Sequence, residues 1–303
     1  MTDRMPALSL ASVAGRRQAT AELAGEIEAR GFSGIYCPSL GDAMGLCLSI
    51  AANTKTLHFG TSVQPIYLQH PITLANQAAY LHEMSQGRFH LGIGVTHGPV
   101  INRLGVQTGK PLSDIRDYVT EMQAAGEAQG GLPPVTLATL RDKMVGLASE
   151  IAEGAVWANA SRSRMAHSLA LISEEKKDAG FYIGNMIPTV IDDDLTAARN
   201  RNRATLKGYV ALPNYRNYWK AAGYEEEMTA VENAIKAKDS DGVLAAMTDA
   251  WLDDCTLSGP VGRIREETEA WFEAGVTTPI LVPSSASGGQ MKAFEEMFAA
   301  WSA

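Results

Sequence analysis

Residues 57–94 read LHFGTSVQPIYLQHPITLANQAAYLHEMSQGRFHLGIG, two short apolar runs at 57–63 and 88–95 on either side of a helical pattern. That pattern starts near His70-Pro71 and stops at Gly87. Strand, right-handed crossover helix and parallel strand make a βαβ unit. Loops that leave the carboxyl ends of such strands collect ligands. Here those ends carry Ser62-Val63-Gln64-Pro65 and Gly94-Val95-Thr96-His97-Gly98, small and polar residues that allow close backbone approach, so the candidate site is placed there.

Working outward, the alternation continues. Strands are expected at 6–10, 32–37, 57–63, 88–95, 135–140, 154–158, 180–190 and 276–282. Helices are expected at 16–30, 41–53, 112–129, 142–153, 161–173 and 290–301, with a long tract at 192–274 broken at Pro213, Gly223 and 258–260. The 142–153 segment shows Met144, Leu147, Ala148 and Ile151 at helical spacing. Eight strands each followed by helix predict an α/β fold, a (β/α)8 TIM barrel. The 192–274 tract exceeds one crossover helix, so a helical insertion before the last strand is expected at roughly 207–256. No linker, repeat or low-complexity run divides residues 1–303, which read as a single domain.

Composition narrows the function. With 303 residues and 46% hydrophobic content the chain can bury one large core, and a formal charge of −8 argues against a nucleic-acid surface. Any anionic ligand must be met by locally placed Arg or Lys. Cys37, Cys47 and Cys255 are odd in number, widely spaced and without a CxxC, which fits a reducing, cytoplasmic setting. Cys37, in an apolar strand, reads as a small buried hydrophobe. No targeting segment is read in MTDRMPALSLASVAGRR, and no apolar run is long enough to span a membrane. A soluble protein is expected.

Several motifs could carry chemistry. Gly60-Thr61-Ser62-Val63-Gln64-Pro65 permits a bulge that presses backbone against a flat ring, or else is a strand ended by Pro65. Gly92-Ile93-Gly94 bares backbone beside a pocket, or serves tight strand packing; it lacks the third glycine of a dinucleotide motif. Arg141-Asp142-Lys143 opens a helix, where free N–H groups and two cations suit an anion, although first-turn cations are also ordinary surface. Thr139 reads equally as a hydroxyl ligand or a cap. His97 follows the fourth strand immediately and can act as general acid or donate to a ring carbonyl. His58, His70, His82 and His90 read as structural and His167 as exposed. No HExxH or His-x-His occurs, so no metal site is expected, and there is no GxSxG or Walker sequence. Tyr209, Tyr215, Tyr218 and Trp219 either roof a flat ligand or staple a helical hairpin.

With those residues in hand, the chain resembles the luciferase-like monooxygenase superfamily, and within it the coenzyme F420-dependent oxidoreductases. The carrying segments are GFSGIYCPSL (31–40), TKTLHFGTSVQPIYLQHPITLANQA (54–78), SQGRFHLGIGVTHG (85–98), PPVTLATLRDKMVGLASEIAEGAVWA (133–158) and GPVGRIREETEAWFEAGVTTPIL (259–281). The resemblance implies a cytoplasmic homodimer that transfers a hydride between deazaflavin C5 and a small organic substrate. It implies a non-prolyl cis peptide at Ser62–Val63 backing the ring, with ring contacts from Ser39, Ser62, Val63 and Gln64 and a further cofactor contact at Gly94. It also implies phosphate contacts from Ala138, Thr139, Leu140 and Arg141, with Thr96 and His97 on the substrate-facing side. His97 is then the candidate catalytic group. Reduced FMN acting with O2 is the alternative cofactor reading, and a flavin-binding barrel without catalysis is the alternative class. Relatives usually carry Gly-Pro where this chain has Arg141-Asp142. Sugar-phosphate-oxidising members carry Asp-His where it has Ser39-Leu40, and a Glu where His97 stands, which counts against that oxidation.

Overall fold

The computed structural model describes residues 4–301. It is a (β/α)8 barrel, an eight-stranded parallel barrel surrounded by helices. Its strands are β1 (Ala7–Ser9), β2 (Gly34–Cys37), β3 (His58–Thr61), β4 (Phe89–Gly94), β5 (Val135–Ala138), β6 (Gly154–Ala158), β7 (Tyr182–Ile191), an accessory β8 (Leu257–Gly259) and β9 (Thr278–Ser284). The expected insertion is present as helices Pro213–Ala221, Glu225–Lys236, Ser240–Ala245 and Asp249–Cys255.

Residues fall into two compact units, one running to Trp157 together with Leu171–Gly184, the other comprising Ala158–Ala170 and the chain from Asn185 onward. In the first unit β1 to β6 pair in chain order and in parallel. Leu8 faces Ile35, Cys37 faces Thr61, Phe59 faces Phe89, Ile93 faces Leu137 and Ala138 faces Val156. Alternation along β4 separates two populations. Phe89, Leu91 and Ile93 are fully buried, whereas His90 and Gly92 line the narrow interior with Tyr36 and Tyr182. Burying each large apolar side chain stabilises the fold by roughly 1.5–3 kcal/mol.

Local chemistry explains the boundaries. Helix Pro71–Met84 begins with proline at its first position, and the His70 side chain accepts from Ile72 N (3.3 Å). It ends at Met84, short of Gly87, because Gln86 (φ 56°) and Gly87 (φ 83°) turn left-handed. The amino end of β3 is pinned by Glu28, whose carboxylate accepts from Lys55 N, Thr56 N and Leu57 N at 2.7–3.1 Å, and from the Thr56 hydroxyl. Burial alone would raise the Glu28 carboxyl, but these bonds outweigh it and hold it down at about 2. Buried Arg88 ties the end of helix Ala43–Asn53 to the same region through the Ala51, Thr54, Leu57 and Ser85 carbonyls and the Thr54 hydroxyl.

Three local expectations change. The helix expected at 161–173 is instead a 3-10 turn, Arg162–Arg164, running into Met165–Leu169, with a separate helix Glu174–Asp178 capped by Ser173. Helix Gly98–Leu104 and strand β8 were not foreseen, each being too short to show a period. In the second unit the aromatic cluster is core. Tyr215, Tyr218 and Trp219 are at most 5% exposed, with Trp219 tilted against Tyr215 and edge-to-face on Trp251. With Tyr209 half-buried and the other three rings packed inside, the burial favours the stapling reading over the roofing one.

Candidate active site

At the end of β3 the chain carries one residue more than its neighbour. Gly60 pairs with His90 and Gln64 with Ile93, so Thr61, Ser62 and Val63 stand opposite only Leu91 and Gly92. This is a bulge. Within it the Ser62–Val63 peptide bond is cis, and Ser62 N donates to Cys37 O at 2.7 Å. Thr61 repairs the interrupted ladder: its hydroxyl donates to Gly92 O (2.7 Å) and accepts from Gly92 N (3.0 Å).

The glycines of β4 follow from that bulge. A Cβ on Gly92 would lie 2.0 Å from Thr61 O, and one on Gly94 would lie 2.6 Å from Ala138 Cβ and 3.0 Å from a Val63 methyl. Gly92-Ile93-Gly94 therefore serves packing, the second of its two readings, with no anion needed to explain it.

Because β2 to β5 are neighbours, their carboxyl ends bring the expected site residues onto one rim. Ser62 and Thr139 are buried, Val63, Gln64, Thr96, His97, Ala138 and Leu140 are half-buried, and Ser39 and Arg141 are exposed. The Gln64 amide donates to the Gln69 side-chain carbonyl at 3.3 Å. Thr139 N is taken by Val156 O at 2.8 Å, which favours a structural role for its backbone. Helix Asp142–Ile151 begins at Arg141 with no side-chain cap. His97 stands at the amino end of helix Gly98–Leu104, and burial pushes its imidazole below the usual histidine range.

Other polar groups escaped sequence reasoning. His90 lines the barrel interior, where burial, then His58 and His82, push it down to about 4. In the second unit Asn159 (φ 58°), Ser161 and Asn185 are buried, and Ser161 Oγ and Asn185 Nδ2 lack hydrogen-bond partners. An asparagine in the left-handed region right after a strand was the available signal. Among the described residues no cluster of His, Cys, Asp or Glu has metal-site geometry.

A family profile described as luciferase-like monooxygenase matches residues 5–278. The chain belongs to that family. Its similarity extends to 5,10-methylenetetrahydromethanopterin reductase of Archaeoglobus fulgidus, 25% identical over 262 residues and covering 75% of this chain and 77% of that one. A Mycobacterium tuberculosis protein assigned by name to the coenzyme F420-dependent oxidoreductases is 25% identical over 321 residues, covering 88% and 91%. Among solved structures, the coenzyme F420 dependent tetrahydromethanopterin reductase from Methanopyrus kandleri shares the fold, with a TM-score of 0.73 at 16% identity over 97% of each chain. As a luciferase-like family member, the chain is an oxidoreductase. No helix among the described residues is long and apolar enough to cross a membrane.

Proposed function

We propose that the chain binds coenzyme F420 on the rim of β2 to β5 and exchanges a hydride with a small organic substrate. The bulge carries this reading, since its extra residue pushes the Ser62-Val63 main chain out of the ladder as a surface for a planar ring. The residues present fit such a group. Thr96 Oγ1 is buried with no hydrogen-bond partner, an orphan at the ring edge. The uncapped amino end of helix Asp142–Ile151, with Arg141 and Lys143, suits a phosphate. The curated relative named for F420 supports this cofactor over FMN.

When bound, the cofactor supplies a ring carbon that takes or gives the hydride. The protein orients and excludes water. In this reading Ser39, Ser62, Val63 and Gln64 form the floor beneath the ring, and Ala138, Thr139, Leu140 and Arg141 hold its phosphate. Thr96 offers its hydroxyl at the ring edge. His97 donates a hydrogen bond from its imidazole N–H to the substrate's polar atom, polarising it, and in the oxidising direction its other nitrogen accepts that atom's proton. Titrating F420 and FMN separately against the apo-protein by fluorescence quenching tests the reading. F420 should bind in the micromolar range and FMN at least about tenfold more weakly, a gap of about 1.4 kcal/mol. Stronger FMN binding replaces hydride exchange by oxygen chemistry, and binding of neither beyond millimolar leaves a barrel without a redox role.

The same reading includes a homodimer working in the cytoplasm, where three buried free cysteines remain reduced. The exposed i, i+4 ridge Ile72, Asn76, Tyr80 and Met84 runs beside a groove lined by Met44 and Leu48, with Tyr80 55% exposed. That face supports pairing with a second copy. Tyr80→Glu should yield a monomer by light scattering; an unchanged dimer moves the interface elsewhere.

A further inference from the structure

His97 lies on a long excursion, residues 95–109, that leaves β4 and returns to helix Pro111–Glu127. Both ends of this excursion are fastened to one short stretch, the exit from the bulge. At its start, Gly94 pairs with Pro65. At its end, Gly109 N donates to Asp114 Oδ2 at 2.8 Å, and the same oxygen accepts from the Tyr67 hydroxyl at 2.6 Å. Tyr67 stands two residues after Pro65, in the turn Ile66–Leu68. Gly109 is close enough to the carboxylate that a Cβ would fall 2.5 Å from Asp114 Oδ1. The excursion is therefore a closed loop whose ends meet on residues 65–67.

We infer that Tyr67 and Asp114 form a positioning latch that closes the 95–109 loop onto the exit of the bulge and so fixes where His97 stands. This rests on the role proposed for His97. A carboxylate accepting two hydrogen bonds, one from a backbone N–H and one from a phenol, makes a short charge-assisted junction. Burial, then the adjacent carboxylate, push the Tyr67 phenol up, so it remains a donor across the working pH range. The bulge's own hydrogen bonds run through Thr61, Gly92 and Cys37, separately from the Tyr67–Asp114–Gly109 junction. The latch thus governs the catalytic side of the rim and leaves the ring floor alone.

Tyr67→Phe removes one hydroxyl and keeps the ring, so folding is retained. Asp114→Ala removes the acceptor, and Asp114→Asn restores one. In the apo-protein, amide exchange across 95–109 should quicken about tenfold in Tyr67→Phe and Asp114→Ala and recover partly in Asp114→Asn. The His97 imidazole signal in the NMR spectrum should shift in the first two variants. With cofactor and substrate, kcat should fall roughly five- to twentyfold through lost positioning, with cofactor affinity within about threefold. Unchanged exchange or an unmoved His97 signal overturns the latch, whatever the cofactor titration gives. A looser loop with full kcat overturns the positioning role. Failure of both cofactors to bind overturns the proposed function instead, and the apo-protein readouts then decide the latch alone.

Discussion

Replacing Thr61 by valine isolates the device that holds the bulge. Valine matches threonine in shape, so no cavity forms, but the hydroxyl that both donates to Gly92 O at 2.7 Å and accepts from Gly92 N at 3.0 Å is lost. Thr61 is 2% exposed, so water cannot take over either bond. Each buried backbone group left without a partner costs about 1–3 kcal/mol, and together they should destabilise the protein by roughly 3 kcal/mol. At about 2 °C per kcal/mol for a chain of this size, the expected fall in Tm is about 6 °C. Thr61→Ser keeps the hydroxyl and loses only a methyl, so it should cost about 1 kcal/mol. Urea unfolding of the three proteins, with calorimetry as a second probe, reads this directly. A Thr61→Val midpoint within ~0.5 kcal/mol of wild type would refute the claim that the side chain completes the ladder.

Further expectations concern glycines, acid and the histidines. Gly92→Ala puts a Cβ 2.0 Å from Thr61 O and should cost more than about 3 kcal/mol by thermal unfolding, whereas Gly146→Ala, on an open helix face, should gain up to ~1 kcal/mol. His90 has a folded pKa of about 4, below the unfolded value near 6.5; the unfolded chain takes up the proton first, so stability present above pH 6.5 is lost as pH falls towards 4. That loss should reach about 3 kcal/mol by pH 4 and vanish in His90→Gln. Glu28 acts in a lower window: its stabilisation is full above about pH 4.5 and lost as pH falls towards 2, amounting after solvent screening to about 1 kcal/mol, and Glu28→Gln should flatten that limb of the pH curve. His97→Ala should slow turnover at least about tenfold while cofactor affinity stays within several-fold; a fully active variant removes the proton-handling role.

Much of this was legible in the chain because the decisive contacts are local or periodic. GTSVQP and GIG reveal themselves as a pair: a strand rich in small residues that ends at proline, beside a strand whose alternate positions must be glycine. The match between β6 and its expected range, Gly154–Ala158, has the same origin, an apolar run between a helix end and polar residues. What stayed hidden depends on distance in sequence. Tyr67 and Asp114 are 47 positions apart, and nothing in either neighbourhood announces their contact. Helix Gly98–Leu104 begins with Gly-Pro and ends at a left-handed Gly105, a pattern that reads as a loop until the cap is seen. His90 has the alternation of an ordinary strand residue, and only the closing of the interior around Tyr36 and Tyr182 shows it as a buried titrating group. Cys37 and Cys47 looked unrelated, yet helix packing sets their thiols side by side, where burial pushes the Cys47 thiol up and keeps it unreactive.

A crystal structure of the protein grown with F420 tests the whole account in one experiment. Deazaflavin density lying flat on the Ser62-Val63 main chain, with its edge at Thr96 and its phosphate beside Arg141, is the predicted result. Fully occupied cofactor found anywhere else, or crystals at saturating F420 in which that surface stays covered by the protein's own side chains, would contradict it.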